Sequence, residues 1–278
     1  MTYQSQTRNF TSVPAAQIKP NASFVPSTIV GNKSPTANGT GYIFYTIAPV
    51  GQEFLRNECA VGKNVMEIGA GYGNIPVQAL KNGVSRYLVN EMEEAHIDIL
   101  IHKIVEEVGH EALERLEIIH GRAPESLPQV EREFDAIMAD KVIHFMSPDE
   151  VRYFIAWAKK ALKKDAKLYL SVATPFVPFY KKMVPLYLER QAKGEEFPGH
   201  FTNTMELISK EEMAEFPEFL VPDEMIFFSR QDIVDVLERY GMRVLRSQTT
   251  FSPGISSDAW QPAPDDKGNI VEVVCMSA

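Results

Sequence analysis

Cysteine is scarce in this chain: Cys59 and Cys275 are the only two among 278 residues. Two cysteines make no disulfide framework, so the expectation is an intracellular protein with reduced thiols. Positive charge is short as well, with Lys and Arg outnumbered by Asp and Glu to a net charge of −9. A nucleic-acid groove needs clustered Lys and Arg to displace counterions, so nucleic acid is not an expected partner. Apolar runs of membrane-spanning length are missing, as is the apolar core of a signal peptide near the first residues. A cytoplasmic protein with no membrane partner is therefore expected. Acidic side chains are absent from residues 1–40, where 19 positions are Ser, Thr, Asn or Pro. Such a stretch buries little apolar surface, so it is expected as a flexible arm or as a strap laid over the fold. The chain as a whole, 45% hydrophobic, suffices for one sizeable core with an appendage.

What is present is organised around Val65-Met66-Glu67-Ile68-Gly69-Ala70-Gly71-Tyr72-Gly73, followed by Asn74-Ile75-Pro76. A short apolar run ending in three alternate glycines reads as a strand, a tight turn and a helix N-terminus. Glycine has no Cβ, so the turn can be sharp and a ligand can lie against its backbone, with the helix amides facing polar or anionic groups. Pro76 suits a first helical turn and Gly83 the position just past the helix end. Glu91 closes the next strand-like run, about 20 residues after the glycines, where an acidic side chain is placed to accept hydrogen bonds from a ribose diol. Together the two features imply a nucleoside cofactor. The dinucleotide pattern G-x-G-x-x-G requires Gly at its sixth place, where this chain has Asn74.

The pattern here is Glu-x-Gly-x-Gly-x-Gly, and it resembles motif I of class I S-adenosylmethionine-dependent methyltransferases. The resemblance implies a Rossmann-like, doubly wound, seven-stranded and mostly parallel α/β sheet whose last strand is antiparallel. It also implies S-adenosyl-L-methionine as cofactor and S-adenosyl-L-homocysteine as product. Glu67 matches the acid that orients the loop and the methionine end of the cofactor, with Gly69, Ala70 and Gly71 as the loop itself. Glu91 matches the ribose acid, with Met92 beside it, and the turn Gly121-Arg122-Ala123 matches the adenine site. Many relatives have an acid where Arg122 stands, so Arg122 stacking on the ring and the Ala123 amide are the two contacts expected there.

Along the rest of the chain, Gly41 to Ile47 is apolar and aromatic, and Tyr42 and Tyr45 are either lid residues or packing for an N-terminal helix. Ile97, Leu100, Ile101, Ile104, Val105 and Val108 form one stripe of a long helix, and His96 and His102 fall off it, as solvated histidines would. Leu116–Ile119, Phe134–Ala139 and Lys167–Ala173 are the third to fifth strands. Ser147-Pro148-Asp149-Glu150 is a capping box opening a helix between the last two. From Pro175 to Phe228 the chain is rich in proline and aromatics without strand alternation, and is expected as a helical or irregular cap insertion over the strand ends. In small-molecule methyltransferases such an insertion forms the acceptor pocket. Tyr180, Tyr187, His200, Phe201 and Met205 are candidates for its lining. Ser229 as N-cap, a helix to Gly241, and strands Met242–Phe251 and Asn269–Met276 complete the sheet, with Ser252–Asp266 as a loop on the substrate side. The expected organisation is thus an arm over 1–40, a cofactor-binding domain over 41–174 and 229–278, and the cap over 175–228.

Methyl transfer asks little of a protein beyond aligning a nucleophile with the S–CH₃ bond and excluding water. A base is needed only when the acceptor arrives with its proton. His144, just past the fourth strand, is the candidate base, with a helix-capping role as its alternative; Asp140 is expected to touch the cofactor or position the acceptor. No metal site is expected. Three functions follow: a methyltransferase for small-molecule O or N acceptors under the cap, a methyltransferase that docks a protein on arm and cap, or a nucleoside-binding protein of this fold without methyl transfer.

Overall fold

The computed structural model describes residues 11–21, 33–39, 41–176, 182–208, 222–251 and 268–278. In chain order the strands and helices begin with β1 (Val13–Pro14), β2 (Lys33–Pro35), β3 (Tyr42–Phe44) and α1 (Pro49–Asn57). The alternating part runs β4 (Asn64–Ile68), α2 (Asn74–Lys81), β5 (Arg86–Glu91), α3 (Glu94–Glu107), β6 (Leu116–His120), β7 (Phe134–Asp140), α4 (Pro148–Ala161) and β8 (Leu162–Ala173). Then come α5 (Met183–Ala192), β9 (His200–Thr202), β10 (Glu224–Ile226), α6 (Arg230–Arg239), β11 (Met242–Thr250) and β12 (Ile270–Ser277).

One eight-stranded sheet has the order β1-β6-β5-β4-β7-β8-β12-β11. Strands β6, β5, β4, β7 and β8 are mutually parallel, and β12 runs antiparallel between β8 and β11. The seven-stranded expectation holds for β4 onward, and the eighth strand comes from the arm. Val13 pairs with Ile118 and Pro14 with Glu117 on the edge strand β6. An edge strand offers unpaired amides and carbonyls, and proline is tolerated there because its missing N–H faces no partner. Ala15 follows fully buried, so this part of the arm is a strap.

Parallel strands are covered on both faces, which is why Val65, Met66 and Ile68 or Tyr87, Leu88 and Val89 read as continuous apolar runs. Helices α1, α2 and α3 cover one face through Phe54, Leu80, Leu100 and Ile104; α4 and α6 cover the other through Phe154, Ile155, Ile233 and Leu237. Val105 of the expected α3 stripe is exposed. Each large side chain buried this way contributes about 1.5–3 kcal/mol. Helix ends follow the sequence signals. Gly83, at φ +85°, stands just past α2 and donates to Leu80 O, while Val84 donates to Ala79 O, the paired bonds of a Schellman motif. Ser147 and Ser229 both cap with reciprocal boxes, to Glu150 and Asp232. Helix α1 lacks such a cap, since Ala48 has no acceptor, and Glu272 on β12 reaches across to take the Val50 amide at 3.1 Å.

Two boundaries differ from expectation. Strand β8 begins at Leu162 because Asp165, at φ +62°, lets the chain bulge against β7 while Lys163 pairs with Asp135 at 2.8 Å. The 175–228 segment contains strands after all: β9 and β10 form an antiparallel ribbon with Met225 opposite Phe201. Three-residue strands are too short to show alternation, and the ribbon is held by its own cluster of Met183, Tyr187, Phe201, Met225 and Phe227. Glu196 ties it to the main fold, accepting from Arg152 of α4 at 2.6 Å and from the Tyr240 hydroxyl at 2.7 Å. No helix among the described residues is long and apolar enough to cross a membrane.

Candidate functional site

A cavity of about 570 Å³ opens at the carboxyl ends of β4, β5 and β7. Its floor is the glycine turn, where Gly69, Gly71 and Gly73 take φ values of +68°, +54° and +78°. These are left-handed conformations that side-chain-bearing residues adopt only with strain. Space forbids a side chain too: a Cβ on Gly69 would stand 2.5 Å from Val142 Cγ2, and one on Gly71 would stand 2.8 Å from Ile43 Cδ1.

Glu91 ends β5 buried beside this turn. One carboxylate oxygen accepts from the Gly71 amide at 2.8 Å, and the other accepts from the Met92 and Glu93 amides at 2.8 and 3.0 Å. Burial works against its charge, but the neighbouring His96 and the Glu93 and Gly71 amides outweigh it and hold the carboxyl below the usual range. His96 is buried, contrary to the solvated position its place off the α3 stripe suggests, because the β2–β3 hairpin lies over it. Its Nε2 accepts from the Ala37 amide at 3.2 Å, and its Nδ1, enclosed without a hydrogen bond, lies 3.3 Å from Glu91 Oε1. His102 is half-buried, with its Nε2 enclosed. The hairpin is pinned by the turn it covers: the Tyr72 hydroxyl donates to Pro35 O at 3.0 Å and Asn74 Nδ2 to Phe44 O at 2.8 Å.

Glu67 lies deeper, on β4, and accepts from the Tyr87 hydroxyl at 2.6 Å. Burial pushes its carboxyl up to about 8; the Tyr87 bond opposes this, the Asp140 and Glu91 charges add to it, and Lys141 opposes it. Asp140 ends β7, accepting from the Ser171 hydroxyl and from the Lys141 ammonium at 2.7 Å. Three carboxyl groups thus face one cavity, a donor set suited to a cationic ligand.

At the turn expected for adenine, Arg122 lines the cavity with its guanidinium forked onto Glu150, the N3 acid of the α4 capping box, so its head group is already committed. Ala123 also lines the cavity. His144 sits in a single turn after β7, lining the cavity and tilted against Phe145 with ring centroids 4.1 Å apart. Burial, reinforced by the Lys141 charge and opposed by Asp140, pushes its imidazole down to about 3, and its Nδ1 is enclosed without a partner.

Of the lid and cap candidates, Tyr42 lines the cavity. Tyr45 does not; its hydroxyl pairs with Ser34 at 2.7 Å. The stretch before them is a hairpin, not a helix, since Lys33–Pro35 supplies a partner strand. Tyr180 and the Ser252–Asp266 loop lie outside the described residues. His200 is turned away from the cavity, with Nε2 on Glu224 at 2.7 Å. Tyr187 and Phe201 pack inside the cap, and Met205 is exposed. Among the described residues of the 175–228 segment, Pro222, Met225 and Phe227 reach the cavity. Sequence reasoning passed over these and His96, although the position of His96 five residues after Glu91, in the first turn of α3, is a signal it could have used.

Residues 65–165 match a family model described as a methyltransferase domain. Comparison with curated proteins gives no match. Among solved structures, the glycopeptide N-methyltransferase MtfA complexed with (S)-adenosyl-L-methionine is 16% identical, with a TM-score of 0.51 over 82% of this chain and 86% of that one. The same enzyme with sinefungin gives 16% identity and a TM-score of 0.52 over 83% and 86%. An S-adenosylmethionine dependent methyltransferase from Mesorhizobium loti is 14% identical, with a TM-score of 0.50 over 82% and 98%. At such identities the likeness is one of fold.

Proposed function

We propose that this chain, whose residues 65–165 match a methyltransferase domain model, is a class I S-adenosylmethionine-dependent methyltransferase that moves a methyl group onto an oxygen or nitrogen of a small molecule held under the 175–228 segment. The observation that carries this is a single cavity walled by Gly69, Gly71 and Glu91 on one side and by Pro222, Met225 and Phe227 on the other. A cofactor on the turn and an acceptor under the cap would share that space. The β2–β3 hairpin roofs it, which favours a small acceptor over a protein segment needing an open groove.

The residues present fit the cofactor. At Gly69 and Gly71 the room a Cβ would need is taken by Val142 and Ile43, so only glycine fits there and the bare backbone of the turn lines the cavity. Glu91 would take the ribose hydroxyls; it already orients the Gly71 amide. Glu67 and Asp140 would face the cationic end, and Ala123 and Met92 the base. S-adenosylmethionine, when bound, supplies a methyl group already activated on a sulfonium sulfur. The protein's part is then orientation and exclusion of water, through the turn below and the hairpin and cap above. His144, neutral over the physiological range, would orient the acceptor by hydrogen bonding; an imidazole held to about 3 is a weak proton acceptor.

Isothermal titration with S-adenosylmethionine and S-adenosylhomocysteine tests this reading. Wild type should bind both, and Glu91→Ala should bind more weakly by about 1.5–3 kcal/mol, the worth of a hydrogen bond to a charged group. Absence of binding by wild type would overturn it.

A further inference from the structure

Lys141 is the residue of this cavity least explained by folding. It takes φ +57°, in the left-handed region, directly after β7. Non-glycine residues hold such conformations at a cost, and they cluster where a site dictates them. The backbone there is fixed, since the Lys141 amide is held by Ser171 O at 3.0 Å and Ser171 Oγ at 3.1 Å. The conformation sends the side chain along the cavity wall, 5.7 Å from the Phe44 ring centroid, with its ammonium 2.7 Å from Asp140. An ammonium has three N–H donors, so two remain for a ligand after Asp140 takes one. Phe44 lies beside it, and Val142, Phe145, Met225 and Phe227 line the same cavity, which also carries Glu67, Glu91 and Asp140.

We propose that the acceptor is a flat, apolar molecule whose nucleophile is an ionised oxygen, a phenolate or a carboxylate, held against the Lys141 ammonium. This deepens the small-molecule reading above and rests on it. An amine acceptor would arrive as a cation, meet the Lys141 charge, and need its proton removed. Glu67, which titrates near neutrality, is buried on the Tyr87 hydroxyl and is assigned to the cofactor's cationic end, and no other described lining group is poised for that. Asp140 is committed to Ser171 and Lys141, and His144 is held neutral by burial and by that same ammonium. An ionised oxygen needs no base, since its proton is lost to solvent before or as it binds. The oxygen lone pair forms the O–CH₃ bond while the S–CH₃ bond breaks and its electron pair stays on sulfur. The anion and the sulfonium cancel, leaving an ether or ester and a thioether, and exclusion of water by the closed complex would favour that loss of charge.

The test uses protein loaded with S-adenosylhomocysteine, whose binding is measured first, and a panel of alkyl-substituted para-nitrophenols beside matched para-nitrobenzylamines. Phenolate absorbance reports the ionisation of each bound phenol without any turnover. Bound phenols should titrate about one unit or more below their free values. Lys141→Met should abolish that lowering and weaken phenol binding about 10- to 100-fold, as loss of one charge-assisted hydrogen bond does. Lys141→Arg should restore the lowering. With S-adenosylmethionine present, the pH at which methyl ether formation levels off should move with the acceptor's own pKa across the panel. Amines bound in preference to phenols, phenols that keep their free titration, or a phenol titration that Lys141→Met leaves unchanged would overturn the proposal while leaving the methyltransferase reading intact. Failure of S-adenosylhomocysteine to bind would remove both.

Discussion

Glu67 makes the cofactor site sensitive to pH in a direction the structure fixes. Its side chain is 3% exposed, and burial first, then Asp140 and Glu91, push its carboxyl from 4.5 up to about 8 against the opposing Tyr87 hydroxyl and Lys141 ammonium. Cys59, the other titratable neighbour, has its thiol pushed up by burial and by Glu67 itself, so it stays uncharged. At pH 7 a carboxyl of that strength is protonated in about nine molecules of ten. A sulfonium or ammonium entering the same cavity favours the carboxylate, so binding releases up to about one proton and tightens as pH rises towards 8, with a limiting slope of about tenfold in Kd per unit. Calorimetry in buffers of different ionisation enthalpy reads the proton count directly. Glu67→Gln imitates the protonated form; its Kd should be flat with pH and about 10- to 100-fold weaker than wild type at pH 8.5, where one charge-assisted contact is lost. Stability moves the other way. A raised folded-state pKa gives stability that is complete below 4.5 and is lost as pH rises through 8, at up to about 1.4 kcal/mol per unit. The ligand-free wild type should therefore lose stability over that window relative to Glu67→Gln. A wild type that binds S-adenosylmethionine with no proton release at pH 7, and whose stability tracks that of Glu67→Gln at every pH, would refute the reasoning.

Two further outcomes are expected. His96→Phe keeps a ring edge against Tyr72 but removes the acceptor for the Ala37 amide and the Nδ1 facing Glu91. It should weaken S-adenosylhomocysteine binding about tenfold and speed hydrogen exchange at Ala37, and unchanged exchange would show that His96 does not tie the hairpin down. Gly69→Ala must hold φ +68° with a Cβ 2.5 Å from Val142. It should lower unfolding free energy by about 1–3 kcal/mol; adding Val142→Ala should recover the steric part and leave the backbone strain, and additive losses in that double-mutant cycle would argue against the clash.

The parts of the fold legible in the sequence are those in which cause and effect are local. Gly83, Ser147 and Ser229 act within one helical turn, so their caps could be read as they stand. The β4 to β8 alternation carried its own period, and Glu67, Gly69, Gly71 and Glu91 stand at the ends of the neighbouring strands β4 and β5 that the pattern marks. What could not be read depends on contacts between distant segments. The eighth strand exists because an edge happened to lack a partner 103 residues or more from Val13 and Pro14. His96 seemed solvated because the helix period says nothing of a hairpin folded over it from residues 33–44. In the 175–228 segment two of the candidate lining residues, Tyr187 and Phe201, pack only inside the small ribbon's cluster, while Met225 and Phe227, on the facing strand and just past it, belong to that cluster and also reach the cavity.

The same distinction runs through the charges. Glu91 keeps its charge through His96, five residues on, and through amides within two residues of it and one across the turn, so its state is set as the chain folds. Glu67 and His144 are neutral for a different reason, namely that each is walled from water among groups drawn from several strands and loops. A ligand that displaces nothing from Glu91 but brings a cation near Glu67 therefore meets one site already charged and one that must still give up its proton. In this cavity affinity for the cofactor should rest on the first and respond to pH through the second. The Glu91 charge also helps to hold Glu67 up, so Glu91→Ala lets Glu67 ionise earlier and should weaken binding less at pH 6 than at pH 8. Glu67→Gln should weaken it only at the higher pH, where the charge it removes is present. Titrations of both variants at the two pH values separate these contributions, and an equal loss in Glu91→Ala at both would show that the two acids are not coupled.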